Sequence, residues 1–124
     1  MSNPTDHLRQ AALQRLLTQL PTLRGAVLAR TDGFAVASAS QHDFSASRLS
    51  AMASSMLALG QATLGELALG DCGSVLVEGR QGKVLLIEVP HPDQPLVLAL
   101  VGSDDTVTGA LLWAARQCVQ QLTL

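Results

Sequence analysis

Residues Ser45 to Leu69 are the longest patterned stretch of this chain, and charge enters it only at Arg48 and Glu66. Asp43 or Ser45 can cap the start of a helix here, and Gly70 is placed to end one. On a helical wheel, Leu49, Met52, Ala53, Met56, Leu57, Leu59, Gly60, Thr63, Leu64 and Leu67 fill a broad arc that should cover a sheet. The opposite arc holds Ala51, Ser54, Ser55, Ala58, Ala62, Gly65 and Leu69, with Arg48, Gln61 and Glu66 at its borders. The solvent face of a long helix ordinarily carries Lys and Glu. Gly60 and Gly65 each cost about 1 kcal/mol against Ala inside a helix. Small neutral residues let another backbone come close. The pattern predicts contact with a second helix, from another copy or a related chain. Burial beneath a loop of the same chain is the competing reading.

Around this helix the chain alternates between helical and strand patterns. A first helix is predicted from Pro4 to Leu20. Pro suits its first position, Ala12, Leu13, Leu16, Leu17 and Leu20 form one apolar face, and Pro21 stops it. Strands are predicted at Gly25–Arg30 and Phe34–Ser38. Asp32-Gly33 between them is a pair favoured in tight hairpin turns. Further strands follow at Gly73–Glu78, Lys83–Val89 and Leu96–Gly102. The unbroken apolar runs of the last two suggest strands covered on both faces. A last helix starts near Ser103 or Asp104 and runs to Leu122, with Asp104 and Asp105 suited to the dipole of its first turn. The order αββαβββα predicts one α+β domain over residues 1–124. Its five-stranded, mainly antiparallel sheet has one long helix on one face and two on the other.

Composition removes several function classes. Phe34, Phe44 and Trp113 are the only aromatic residues, the net charge is -2 and no Lys/Arg cluster exists. Nucleic acid, which demands a basic footprint and often stacking faces, is therefore not an expected partner. No apolar run approaches a membrane span, and the start of the chain lacks the pattern of a signal peptide. Cys72 and Cys118 read as buried, reduced thiols of a cytoplasmic protein, with a disulfide between them the lesser alternative.

Chemistry-bearing patterns are scarce. Gly60 and Gly65 have the glycine spacing of a phosphate-binding loop, but the Lys-Ser/Thr pair is missing and the segment is helical. His7, His42 and His91 lie far apart in sequence, and no Cys or His pair has metal-ligand spacing. Asp71 beside Cys72 would oppose thiolate formation. No nucleophile-elbow sequence occurs. No catalytic, cofactor or metal site is expected. Trp113 falls off the apolar face of the last helix, near Arg116, which makes the two a candidate partner contact because Trp is enriched in interface hot spots. Packing of Trp113 against the first helix is equally open.

The order of elements and the local sequence together resemble the Roadblock family, the dynein light chain-related domain. The resemblance rests on Pro21-Thr22-Leu23-Arg24-Gly25-Ala26-Val27-Leu28 followed by Asp32-Gly33-Phe34-Ala35-Val36-Ala37-Ser38. It continues in the Ala/Met/Leu-rich run Leu49–Leu59, which leads through Leu69-Gly70 into Val75–Glu78, and in Gly109 of the last helix. Family members often carry Asn where this chain has Val107. The resemblance spans about Leu8 to Leu122 and implies a Roadblock/profilin-like fold. It implies a homodimer or a heterodimer with a related chain, formed by the long helix and the third strand. It also implies, for a bacterial stand-alone member, a regulator of a small Ras-like GTPase without catalytic residues of its own. The expected interface residues are Met52, Met56, Gly60, Thr63, Val75 and Val77, with Ser55, Ala58 and Ala62 on the competing arc. A non-catalytic dimeric adaptor is thus the leading expectation. A small-molecule sensing module and a scaffold subunit without a GTPase are the alternatives.

Overall fold

A computed structural model of the chain describes residues 4–41 and 44–123. The Asp32-Gly33 turn folds β1 (Leu23–Arg30) onto β2 (Ala35–Ser40). Gly33 sits at φ +98°, a region costly for any residue with a Cβ. Its N–H donates to the Arg30 carbonyl, and the Asp32 carboxylate accepts the Phe34 N–H. β3 (Ser74–Gly79) and β4 (Gly82–Val89) form a second hairpin, and β5 (Leu96–Ser103) pairs with both β4 and β1. The sheet is antiparallel throughout, in the order β2-β1-β5-β4-β3. Helix α2 (Ala46–Glu66) is the one long connection between the halves.

Strand alternation divides the core in two. Leu28, Leu85, Leu98 and Leu100 face α1 (Pro4–Gln19) and α3 (Thr108–Leu122), which contribute Leu13, Leu16, Leu111 and Ala115. Val27, Leu86, Val97 and Ala99 face α2, which contributes Leu49, Ala53 and Leu57. Cys118 belongs to the first cluster and Cys72 to the second. The sheet separates the two thiols, so they cannot form a disulfide within one chain.

Both ends of α2 have local causes. The Ser45 side chain accepts the Arg48 N–H at the start. The alternative cap, Asp43, lies outside the described residues. The helix ends at Glu66, short of the predicted Leu69. There, Leu69 N–H reaches the Leu64 carbonyl and Ala68 N–H the Gly65 carbonyl. This is the bond pair of a helix C-terminus closed by a left-handed residue. That residue is Ala68, at φ +55°, and not Gly70, which turns the chain two residues later. Within the helix, Ser50 donates to the Ala46 carbonyl, Ser54 to the Ser50 and Arg30 carbonyls, and Thr63 to the Leu59 carbonyl. These bonds satisfy the hydroxyls within the chain, which lets Ser50 be fully buried and Ser54 half-buried while Thr63 stays exposed.

Helix α3 begins later than predicted. Ser103 still belongs to β5, its N–H bonded to the Thr22 carbonyl. Asp104 and Asp105 form a turn closed by Thr106 N–H on the Ser103 carbonyl, and the buried Thr106 hydroxyl also reaches Thr22. The two aspartates therefore stand outside the first turn of the helix, which starts at Thr108 without a side-chain cap.

A candidate association surface on α2 and β3

The outer strand is where this fold runs out of cover. β3 pairs only with β4, and its residues are exposed or half-buried. Register with β4 places Val75 opposite the buried Leu86 and Val77 opposite Val84, so both valines face the α2 side. Helix α2 covers Val75 only in part and leaves Val77 exposed. Its buried stripe is narrower than the predicted arc, being Leu49, Ser50, Ala53 and Leu57. Met52 is 54 % exposed, Leu59 68 % and Leu67 62 %, so part of the arc assigned to the sheet faces outward.

Between the C-terminal half of α2 and β3 lies an open groove of about 370 Å³. Met56, Leu59, Gly60, Thr63, Leu64, Cys72, Ser74 and Val75 line it, without a charged side chain among them. A second hollow continues along the same flank past Met52, between Phe44, Leu49 and Val101. The structure thus brings Met56, Gly60, Thr63 and Val75 together, with Met52 and Val77 flanking them. Ser55 and Ala62 point outward on the exposed side of α2. Ala58 lies on the opposite flank, in a cleft with Ser54, Gln61 and Glu88. Gly60 has a role inside its own chain. A Cβ there would stand 3.0 Å from Val75 Cγ2 and 3.2 Å from Cys72 Sγ. Its small size lets α2 approach β3. By contrast nothing lies within 4 Å of a Cβ at Gly65. Leu59, Leu64 and Cys72 join the site without having been singled out as interface residues. The two leucines lie on the arc that periodicity assigns to the sheet, and the sequence marks Cys72 only as a buried thiol.

Trp113 is 64 % exposed on the outer side of α3, beside exposed Arg116, and does not pack into the core against α1. A groove of aliphatic side chains and methionine at a free strand edge can do two things. It can bury apolar area, and it can pair backbone N–H and C=O groups with another strand. Neither is bond-making chemistry. Elsewhere, burial pushes the Cys118 thiol up to about 11 despite the charge of Arg15, which leaves it an inert core residue. The His91 Nδ1 accepts the N–H groups of Asp93 and Gln94, so this imidazole organises its own turn. Among the described residues no three His, Cys, Asp or Glu side chains gather as metal ligands, and no helix is long and apolar enough to cross a membrane.

Fold and surface together define a three-layer α+β domain whose most distinctive feature is a face and not a cleft. The sequence pattern of the Roadblock/LC7 domain matches residues 9–91, and the chain belongs to that family. The match stops before β5 and α3, but solved structures extend the likeness over most of the chain. A Roadblock/LC7 domain from Streptomyces avermitilis is 20 % identical, with 91 % of this chain and 92 % of that one covered at a TM-score of 0.82. An MglB solved with a tetrameric arrangement is 17 % identical, with 98 % and 90 % covered at 0.87. Profilin II from Acanthamoeba castellanii is 14 % identical, with 92 % of each chain covered at 0.58, which places the fold in the wider profilin-like class. No curated protein sequence matches the chain.

Proposed function

We propose that this chain is a non-catalytic adaptor that associates with a second copy, or a related chain, through α2 and β3. The paired surface then engages a small Ras-like GTPase in the cytoplasm. The observation that carries this reading is the uncharged groove between Met56, Leu59, Thr63 and Val75 at an open strand edge. An apolar face of this kind marks association sites in soluble proteins, and an unpaired edge strand is covered in native assemblies. Membership of the Roadblock/LC7 family supports the GTPase as partner, and the tetrameric arrangement of a structurally similar MglB supports self-association. An adaptor of this kind acts without a catalytic side chain, by binding one conformation of its partner better than another.

The experiment is light scattering over a dilution series, followed by titration of small GTPases from the same genome in their GDP and GTP forms. A mass of twice the 13.0 kDa of one chain, and a nucleotide-dependent complex, are the expected results. A mass of 13.0 kDa at every concentration would remove self-association, and equal indifference of every GTPase would remove the partner.

A further inference from the structure

The two edges of the sheet differ. β3 keeps unbroken register with β4 from Ser74 to Gly79, and among the described residues no side chain hydrogen-bonds the backbone of residues 75–78. β2 departs from this in two ways. Its pairing with β1 shifts between Leu28 and Ala29, leaving Val36 as an extra residue. A bulge of this kind bends and twists an edge away from straight pairing. Next to it, Gln10 of α1 reaches the strand. Its Nε2 donates to the Ser38 carbonyl at 2.5 Å, and its Oε1 accepts the Ser38 N–H at 3.3 Å.

The position of Ser38 gives this pair of bonds its meaning. In an antiparallel ladder, alternate residues turn both backbone groups toward the partner strand. Gln41 N–H donates to the Arg24 carbonyl, so Ala39 and Ala37 are the bonded positions that follow, and Ser38 turns its groups away from β1. Those are the groups that an incoming strand would need. A carboxamide carries a donor and an acceptor side by side, as a peptide group does, and Gln10 occupies both.

We propose that Gln10 closes the β2 edge against strand addition, so that sheet-to-sheet association of this chain runs through β3 alone. A chain with two usable edges can add partners without limit, whereas one usable edge closes after a single pairing. The proposal concerns β2 and stands whether or not a GTPase is the partner.

The test compares the full chain with Gln10→Ala and Gln10→Glu by light scattering over one dilution series, with circular dichroism to verify the fold. Leu13, Leu16 and Leu17 still anchor α1 in both variants. The wild type is expected to reach a mass plateau. Gln10→Ala should rise past that plateau and keep growing with concentration, because each assembly then offers a freed β2 edge at both ends. Gln10→Glu keeps the acceptor, loses the donor and should fall between. Amide exchange supplies a readout in the unaltered protein, where Ser38 N–H, held by Gln10 Oε1, exchanges slowly. A folded Gln10→Ala with the wild-type plateau, or a Ser38 amide that already exchanges freely in the wild type, would overturn the proposal. A monomeric wild type would instead count against association through α2 and β3. Gln10→Ala would then still be expected to pair, through β2.

Discussion

Leu13 of α1 and Leu59 of α2 are the same residue in two helices packed on one sheet, yet the first is 0 % exposed and the second 68 %. The difference comes from how many helices share each face. Two helices, α1 and α3, cover one side and bury their apolar stripes between themselves and the strands. A single helix covers the other, and one helix is narrower than five strands. The uncovered part falls over β3, where the bordering α2 flank holds Met56, Leu59 and Thr63, and continues past Met52 beside Val101 of β5. An apolar helical arc therefore does not define a core. Its width beyond what one sheet can bury measures what is left for a partner.

The sharpest way to break this comparison is to replace one leucine on each side. Leu98→Ala, at a fully buried position facing α1 and α3, is expected to cost about 2–5 kcal/mol of stability in urea denaturation. Leu59→Glu should leave the stability of the isolated chain within about 0.5 kcal/mol. It should weaken self-association at least roughly 10-fold, about 1.4 kcal/mol, when masses are followed on dilution. A large loss of folding stability in Leu59→Glu, with association intact, would make α2 an ordinary core helix. Ala68→Gly relieves the left-handed residue that closes α2 and should raise the melting temperature, by about 1 kcal/mol in stability.

The smallest effect belongs to the sealed side. The Cys118 thiol titrates near 11 when folded, against 9.0 ordinarily, because burial opposes its charge. Below pH 9.0 both states keep the proton and the group adds no pH dependence. Above it the unfolded chain ionises first, so stability falls as pH rises until the folded thiol ionises near 11. Denaturation midpoints across this window should fall less steeply in Cys118→Ala than in the wild type.

Much of the scaffold is legible without coordinates. The Asp32-Gly33 hairpin, the Ser45 cap and the central strand Leu96–Gly102 follow from turn chemistry, capping and unbroken apolar runs, each confined to a few neighbouring residues. The start of α3 is not legible in that way. Asp104 and Asp105 satisfy the local rule for a helix start, but Thr22, far back in the chain, holds Ser103 in the sheet and Thr106 in the turn. The candidate surface is half legible. Met56, Gly60, Thr63 and Val75 come together as the helical and strand patterns suggest, while a second role of Gly60, inside its own chain, is not legible there. Its lack of a side chain admits Val75 and Cys72 of the same chain.

From the sequence alone follow the identity and order of the elements, the uncharged character of α2 and the scarcity of chemistry-bearing groups, because periodicity, capping and composition act within a turn or a strand. Only the tertiary structure decided which apolar residues of α2 stay in water, which glycine is filled by its own chain and which sheet edge is closed by Gln10. Those outcomes depend on the pairing of β1 with β5 and the placing of β3 at the rim, long-range choices that no local pattern encodes.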